Sequence, residues 1–186
     1  MCNGACLTFI QEELSEADIR GKRVLEVGAG NVNGTPSDHI KKYEPSEYVA
    51  TDIHWGLTVT KLCNVYSLIH EFGINSFDIV VSTEMLEHVA DWRTAIRNLK
   101  GVVDIGGHLL ITTRSKGFGY HKYPEDHFRF EVEDMNKIFA DFDIVRIIKD
   151  KDEAGVLVHV KKSEQYTEID LVDIELYNIN SDKRHL

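Results

Sequence analysis

Val24-Leu25-Glu26-Val27-Gly28-Ala29-Gly30 reads as a buried strand that runs straight into a glycine turn. Its one charged residue, Glu26, sits inside the apolar run. A carboxylate in that position is costly unless it is paired, so something must compensate it. The glycines let a ligand approach the backbone closely. A helix is expected next, and its first turn offers unpaired N–H groups. Together these features point to a nucleotide-like cofactor at the end of a first strand.

Outward from this turn, strand-like and helix-like apolar patterns alternate, which argues for a parallel sheet covered by helices. Residues 7–17 read as a leading helix and 23–28 as the first strand. Thr35-Pro36-Ser37-Asp38 reads as a helix start, with Thr35 as cap and Pro36 in the first turn. That helix has to end before Pro45. Further strands are expected at 47–53, within 58–63, at 77–82 and at 108–113, with a short helix over 65–72. Asp91 reads as the cap of a helix that carries Trp92, Ala95, Ile96, Leu99 and Val103 on one face, with Gly106-Gly107 breaking it. Residues 131–140 read as a helix; 142–149 and 155–161 read as strands joined by a short turn, hence antiparallel.

A chain of 186 residues with 42% hydrophobic and 28% charged residues suits one globular domain. No apolar run approaches the ~20 residues that cross a bilayer, and Met1-Cys2-Asn3-Gly4-Ala5-Cys6 lacks the pattern of a secretory signal. A cytoplasmic protein without a membrane segment is expected. Three widely spaced cysteines form no disulfide framework. Cys2 and Cys6 have no second pair to complete a metal site, and Cys63 reads as a small buried hydrophobe. The net charge of -10, without a clustered basic face, argues against nucleic acid as a partner.

Two further motifs extend the first. Asp52 ends the second strand, about 24 residues beyond Gly28, and Ser82-Thr83-Glu84-Met85-Leu86-Glu87-His88-Val89 follows the fourth. With Glu26-Val27-Gly28-Ala29-Gly30 and the order of elements, they make the chain resemble the class I S-adenosylmethionine-dependent methyltransferases of the type 11-like group. The glycine motif alone is weak, whereas the Leu-Glu-His-Val ending and the spacing of all three motifs are specific. The resemblance spans roughly residues 20 to 162. It implies a Rossmann-like α/β fold: a seven-stranded, mostly parallel sheet with helices on both faces and an antiparallel last strand, in three layers. It also implies a domain over 1–162 and an acidic extension over 163–186.

The resemblance assigns S-adenosyl-L-methionine as methyl donor, leaving S-adenosyl-L-homocysteine. Gly28, Ala29 and Gly30 would pack against its methionine and ribose portion, and Glu26 would hold its ammonium. Asp52 would accept hydrogen bonds from both ribose hydroxyls. Ile53 is placed on the adenine face, with His54 and Trp55 as alternatives the sequence does not separate. Asn64 and Val65 stand where relatives carry an acid that meets the adenine amino group; an amide oxygen can accept the same bond. Thr83 and Glu84 line the crevice. The loop after Gly30 is longer than usual, and Asn33 is a candidate contact from it.

Residues 114–130 have no clear period and are rich in aromatics, as a functional loop would be. Within them Tyr120–Phe130 follows the fifth strand and is expected to form a lid over the crevice. Tyr120, Tyr123, Arg129 and His88 are candidates for acceptor binding, with Arg129 gripping a carboxylate or phosphate or else tying the lid to Glu84 or Asp126. His121, Asp126 and His127 are candidates for a proton acceptor. As a metal set, these three match no strong spacing, and no metal is expected. The acidic balance and the lack of an appended recognition domain favour a small-molecule acceptor.

Two other readings compete. A nicotinamide enzyme would need glycine at Asn33 to complete its fingerprint. A non-catalytic cofactor-binding or partner-regulating protein would use the tail, where Ile169, Leu171, Ile174, Leu176 and Ile179 suggest an extra strand. Such a strand would pair at an edge or with a second subunit in a homodimer; the remaining reading is a disordered tail.

Overall fold

The computed structural model describes residues 4–122 and 124–186. Its chain order is α1 (Gly4–Glu13), α2 (Glu16–Ile19), β1 (Arg23–Val27), α3 (Ser37–Lys41), β2 (Glu47–Asp52), β3 (Lys61–Leu62), α4 (Leu68–Phe72) and β4 (Phe77–Thr83). There follow α5 (Trp92–Val102), β5 (Val103–Arg114), β6 (Phe128–Arg129), α6 (Val132–Ile138), β7 (Asp143–Lys149), β8 (Gly155–Lys161), β9 (Leu176–Asn178) and β10 (Lys183–His185).

Seven strands form one sheet in the order β3-β2-β1-β4-β5-β8-β7. β1, β2, β3, β4 and β5 pair in parallel, whereas β8 runs antiparallel to both of its neighbours. This is the expected Rossmann-like sheet. Strand alternation explains the layers. Leu25, Val80, Leu109 and Ile111 face one core with α4, α5 and α6, while Val24, Ile79, Val81 and Leu110 face a second core built from α1, α2 and α3. The strand order turns back between β1 and β4. A sheet of this kind opens a crevice beyond the carboxyl ends of its strands at such a point.

Three local expectations change. The leading helix is two helices, because Ser15 and Asp18 form a capping box: Asp18 Oδ2 accepts from the Ser15 amide at 2.9 Å and its hydroxyl at 2.6 Å. Helix α3 begins at Ser37 with Pro36 as N-cap, although the Thr35 hydroxyl still accepts from the Ser37 amide at 3.1 Å. Gly106-Gly107 do not break α5, which has already ended at Val102. There Lys162 Nζ donates to the carbonyls of Lys100 and Val103 at 2.9 Å, which satisfies groups a helix end leaves bare. The glycines form an irregularity inside β5 instead: Gly106 has φ +75°, and a Cβ on Gly107 would sit 2.8 Å from the Asp78 carbonyl. The Asp91 cap holds as expected, accepting from the Thr94 amide at 3.1 Å.

Below the sheet edge, Lys100 and Asp141 form an ion pair of 2.7 Å with both side chains 1% exposed. Removing one partner of such a pair strands the other charge. Lys100→Met should therefore cost about 3–5 kcal/mol in urea unfolding; a loss under about 1 kcal/mol would mean the site is wet, as in a surface pair.

Candidate cofactor cleft and lid

The crevice at the β1/β4 divide is a cleft of about 230 Å3. Its floor is the glycine turn. Gly28 has φ +81°, a conformation that side chains resist, and a Cβ there would lie 2.8 Å from Cβ and Cγ of Met85. The amides of Gly28 and Ala29 donate to the Thr51 carbonyl at 2.9 and 3.0 Å, tying the turn to β2. Above it stands Asp52, whose Oδ1 accepts from the His54 amide at 3.0 Å. Its Oδ2 would be 3.2 Å from a Cβ on Gly30, so glycine leaves room beside that oxygen.

Of the residues expected around a cofactor, Glu26, Gly28, Gly30, Asp52, Ile53, Asn64, Val65, Thr83 and Glu84 line this cleft. Ala29 does not: its side chain is buried with Ala50 and Val59. Asn33 is exposed and is not part of the lining. His54 joins Ile53 in the wall, while Trp55 is 67% exposed outside it. Asn64 caps the turn that follows, its Oδ1 accepting from the Tyr66 amide at 3.0 Å. Met85, Tyr66, Val32 and Pro124 also line the cleft without having been singled out by the sequence; a Met after a strand or a Pro in an aperiodic loop carries no distinguishing signal.

Glu26 is 1% exposed, and its compensation comes from side chains. Thr35 Oγ1 donates to Oε1 at 2.9 Å, and the Tyr48 hydroxyl donates to Oε2. Burial pushes the carboxyl up from its ordinary range, while these hydroxyls pull it back.

At the end of β4 the chain turns at Glu84, a non-glycine residue with φ +53°. Its amide donates to the Thr112 carbonyl at 2.8 Å, and the Thr112 hydroxyl donates to Oε1 at 2.9 Å. Arg114 pairs with Oε2 inside the protein. Burial, then the neighbouring Glu87, push the Glu84 carboxyl far above the usual range. Glu87 is fully buried on the short helical turn Leu86–His88, and Thr113 Oγ1 donates to its Oε2 at 2.8 Å.

The lid settles onto this turn. The His127 amide donates to the Glu87 carbonyl at 2.9 Å, and His88 Nδ1 meets the Glu125 carbonyl at 2.5 Å. His121 and Asp126 come together as expected: the His121 amide donates to Asp126 Oδ2 at 2.8 Å, and Nδ1 lies 3.1 Å from the same oxygen. His127 points elsewhere, with its ring against Phe128. Arg129 is fully buried and ties the lid. It forms a bidentate pair with Asp126 at 2.6 and 2.7 Å and donates to the carbonyls of Phe118, Gly119 and Phe128. Those bonds occupy the fork that a substrate anion would need. Tyr120 is 53% exposed outside the cleft lining, and Tyr123 lies outside the described residues, as does Cys2. Of the other acceptor candidates, His88 lines the cleft.

The tail belongs to the lid. β9 pairs antiparallel with β6 and with β10, making a second, three-stranded sheet. The Ile179 amide donates to the His127 carbonyl at 2.9 Å, and Asn180 Nδ2 donates to the Asp126 carbonyl at 2.8 Å.

Comparison with known proteins agrees with this geometry. A family profile described as "Methyltransferase domain" matches residues 4–149, and the chain belongs to that family. A ubiquinone biosynthesis O-methyltransferase of Vibrio vulnificus (strain YJ016) is 33% identical over 118 residues, 55% of this chain and 48% of that protein. The chain thus spans about half the length of the curated relatives it matches. Among solved structures, a Burkholderia thailandensis 1,6-didemethyltoxoflavin-N1-methyltransferase with bound S-adenosylhomocysteine superposes with TM-score 0.68 at 14% identity, covering 87% of this chain and 80% of that one. The magnesium protoporphyrin IX methyltransferase of Synechocystis PCC 6803, also with S-adenosylhomocysteine, gives TM-score 0.64 at 15% identity, covering 85% and 82%. By family the chain carries a methyltransferase domain, and its fold is that of solved S-adenosylmethionine-dependent methyltransferases. Its cleft suits that cofactor: two carboxylates for cationic and hydroxyl groups, a glycine cradle with no room for a Cβ at Gly28, and apolar walls at Ile53 and Val65. Among the described residues, no helix is long and apolar enough to cross a membrane.

Because the tail strand is hydrogen-bonded to the lid, deleting residues 176–186 should release the backbone around 126–130. Hydrogen exchange would read this as lost protection of the Arg129 amide, which faces Tyr177, with β4 unchanged; equal protection in the shortened chain would uncouple tail and lid.

Proposed function

We propose that this chain transfers a methyl group from S-adenosylmethionine to a hydroxyl-bearing small molecule. The observation that carries the reading is the convergence of Glu26, the Gly28–Gly30 turn, Asp52 and Thr83 on one cleft at the strand-order reversal. The bound cofactor supplies a methyl on a sulfonium, which a nucleophile displaces in line to leave S-adenosylhomocysteine. Asp52, with Oδ2 facing Gly30, would accept from the ribose hydroxyls. Glu26 would set a negative potential at the β1 end for the ammonium, and Asn64 and Ile53 would border the adenine.

The protein's own contribution is alignment and exclusion of water. His88 and the lid residue Pro124 close one side of the cleft, which leaves a space suited to a small acceptor. An oxygen acceptor is supported by the curated relatives' designation as O-methyltransferases. Of the expected proton acceptors, His121 stands beside Asp126 in the lid, outside the cleft lining. His127 and Asp126 serve the lid itself.

Asp52→Ala removes a carboxylate that would receive charge-assisted hydrogen bonds, each worth about 1.5–3 kcal/mol. Calorimetry with S-adenosylhomocysteine should therefore show binding weakened by at least about tenfold. Unchanged affinity in a folded Asp52→Ala variant would move the cofactor away from this cleft.

A further inference from the structure

Beyond the contacts that Glu87 and His88 make to the lid, the side chains of Glu87, His88 and His121 form a cluster. One ligand atom from each lies within 4.8 Å of the others. Glu87 Oε1 is 3.8 Å from His88 Nε2 and 3.8 Å from His121 Nε2. Glu87 has no side-chain exposure, yet Oε1 has no hydrogen-bond partner among the described residues, and neither does either ring nitrogen of His121. A buried polar atom left in that state needs an explanation.

The remaining atoms of the three side chains are already arranged as outer support. Glu87 Oε2 is held by the Thr113 hydroxyl at 2.8 Å, which leaves Oε1 as the free donor atom. His88 Nδ1 meets the Glu125 carbonyl, so that nitrogen carries the proton and Nε2 keeps its lone pair. His121 Nδ1 faces the Asp126 carboxylate at 3.1 Å, and Arg129 pins that carboxylate from its other side. Metal-bound histidines carry this kind of partner on the second nitrogen. Two metal–ligand bonds of about 2.0–2.2 Å span at most about 4.4 Å, so the 3.8 Å separations already suit a shared ion. The third separation is within 4.8 Å, so tetrahedral ligation would draw these side chains together.

We propose that Glu87 Oε1, His88 Nε2 and His121 Nε2 bind one divalent first-row transition-metal ion at the junction of cleft and lid. Two imidazoles and one carboxylate favour zinc or its first-row neighbours over magnesium, which prefers oxygen donors. Three protein ligands leave a coordination position, and His88 is itself part of the cleft lining. On the methyl-transfer reading above, that position takes the acceptor oxygen, whose proton is then lost more readily to solvent. The sequence led to no metal being expected, and the trio set aside there overlaps this set only at His121: Asp126 stands behind His121 and His127 takes no part.

The test begins with the full chain stripped by chelator and titrated with zinc chloride alone. One equivalent should bind. Glu87→Gln and His121→Asn should each weaken that binding at least about tenfold, and His70→Asn should leave it unchanged. Failure of the wild type to saturate below millimolar zinc, or variants that bind as tightly as wild type, overturns the site. If either variant fails to fold, cobalt(II) added to the wild type decides. Intense visible bands of a four- or five-coordinate ion support the site, and a spectrum like that of the hydrated ion overturns it. S-adenosylhomocysteine titrated into the same samples separates the two readings. Cofactor binding without metal binding sinks this proposal alone; metal binding without cofactor binding sinks the methyl-transfer reading and leaves the ion in place.

Discussion

Three carboxylates, those of Glu26, Glu84 and Glu87, are buried around the ends of β1 and β4, and the surrounding structure is organised by the need to satisfy them. A carboxylate removed from water must be given donors or lose its charge. Each has its own set: Thr35 and Tyr48 for Glu26, Thr112 and Arg114 for Glu84, Thr113 for Glu87. These donors lie on different elements. Satisfying the charges therefore fixes how β2, β5 and the loop before α3 meet the two central strands.

Most of the fold was legible because it rests on local pattern. The apolar runs of β1 and β4 alternate between two cores, and that alternation identifies a sheet covered on both faces. The misplaced boundaries were those set by pairs of side-chain hydrogen bonds. A capping box at Ser15 splits one helix, and a lysine far along the chain, Lys162, closes the end of α5. Nothing near Val102 announces a donor from residue 162. The cleft floor was likewise legible, since Glu26, Gly28 and Asp52 are read from adjacent strand ends.

The lid was legible only as a loop. Arg129 had two readings in the sequence, and packing selects the internal one. A guanidinium buried without exposure must fill its donors, and Asp126 with three carbonyls does so. The tail's hydrophobic spacing suggested a strand, but its partner depended on where the lid already lay. β6 offers only Phe128 and Arg129 for pairing, too short a signal to be found from sequence. Glu87 was visible within its motif, yet its significance comes from His121, which the lid delivers from beyond the end of β5 in the chain.

Glu84 joins these parts. A non-glycine residue at φ +53° costs roughly 1–2 kcal/mol relative to ordinary backbone. Glycine would remove that strain, but it would also remove the carboxylate that Arg114 and Thr112 bind. Those contacts hold the strained residue in place, and the strain has a geometric product. It turns the chain abruptly at the end of β4, so that Met85 packs over Gly28 while the next turn carries Glu87 and His88 toward the lid. Straightening this residue would move the cofactor floor and the lid support together. The cleft and the Glu87–His88–His121 cluster are thus two faces of one kink, held by the buried contacts of Glu84 with Arg114 and Thr112.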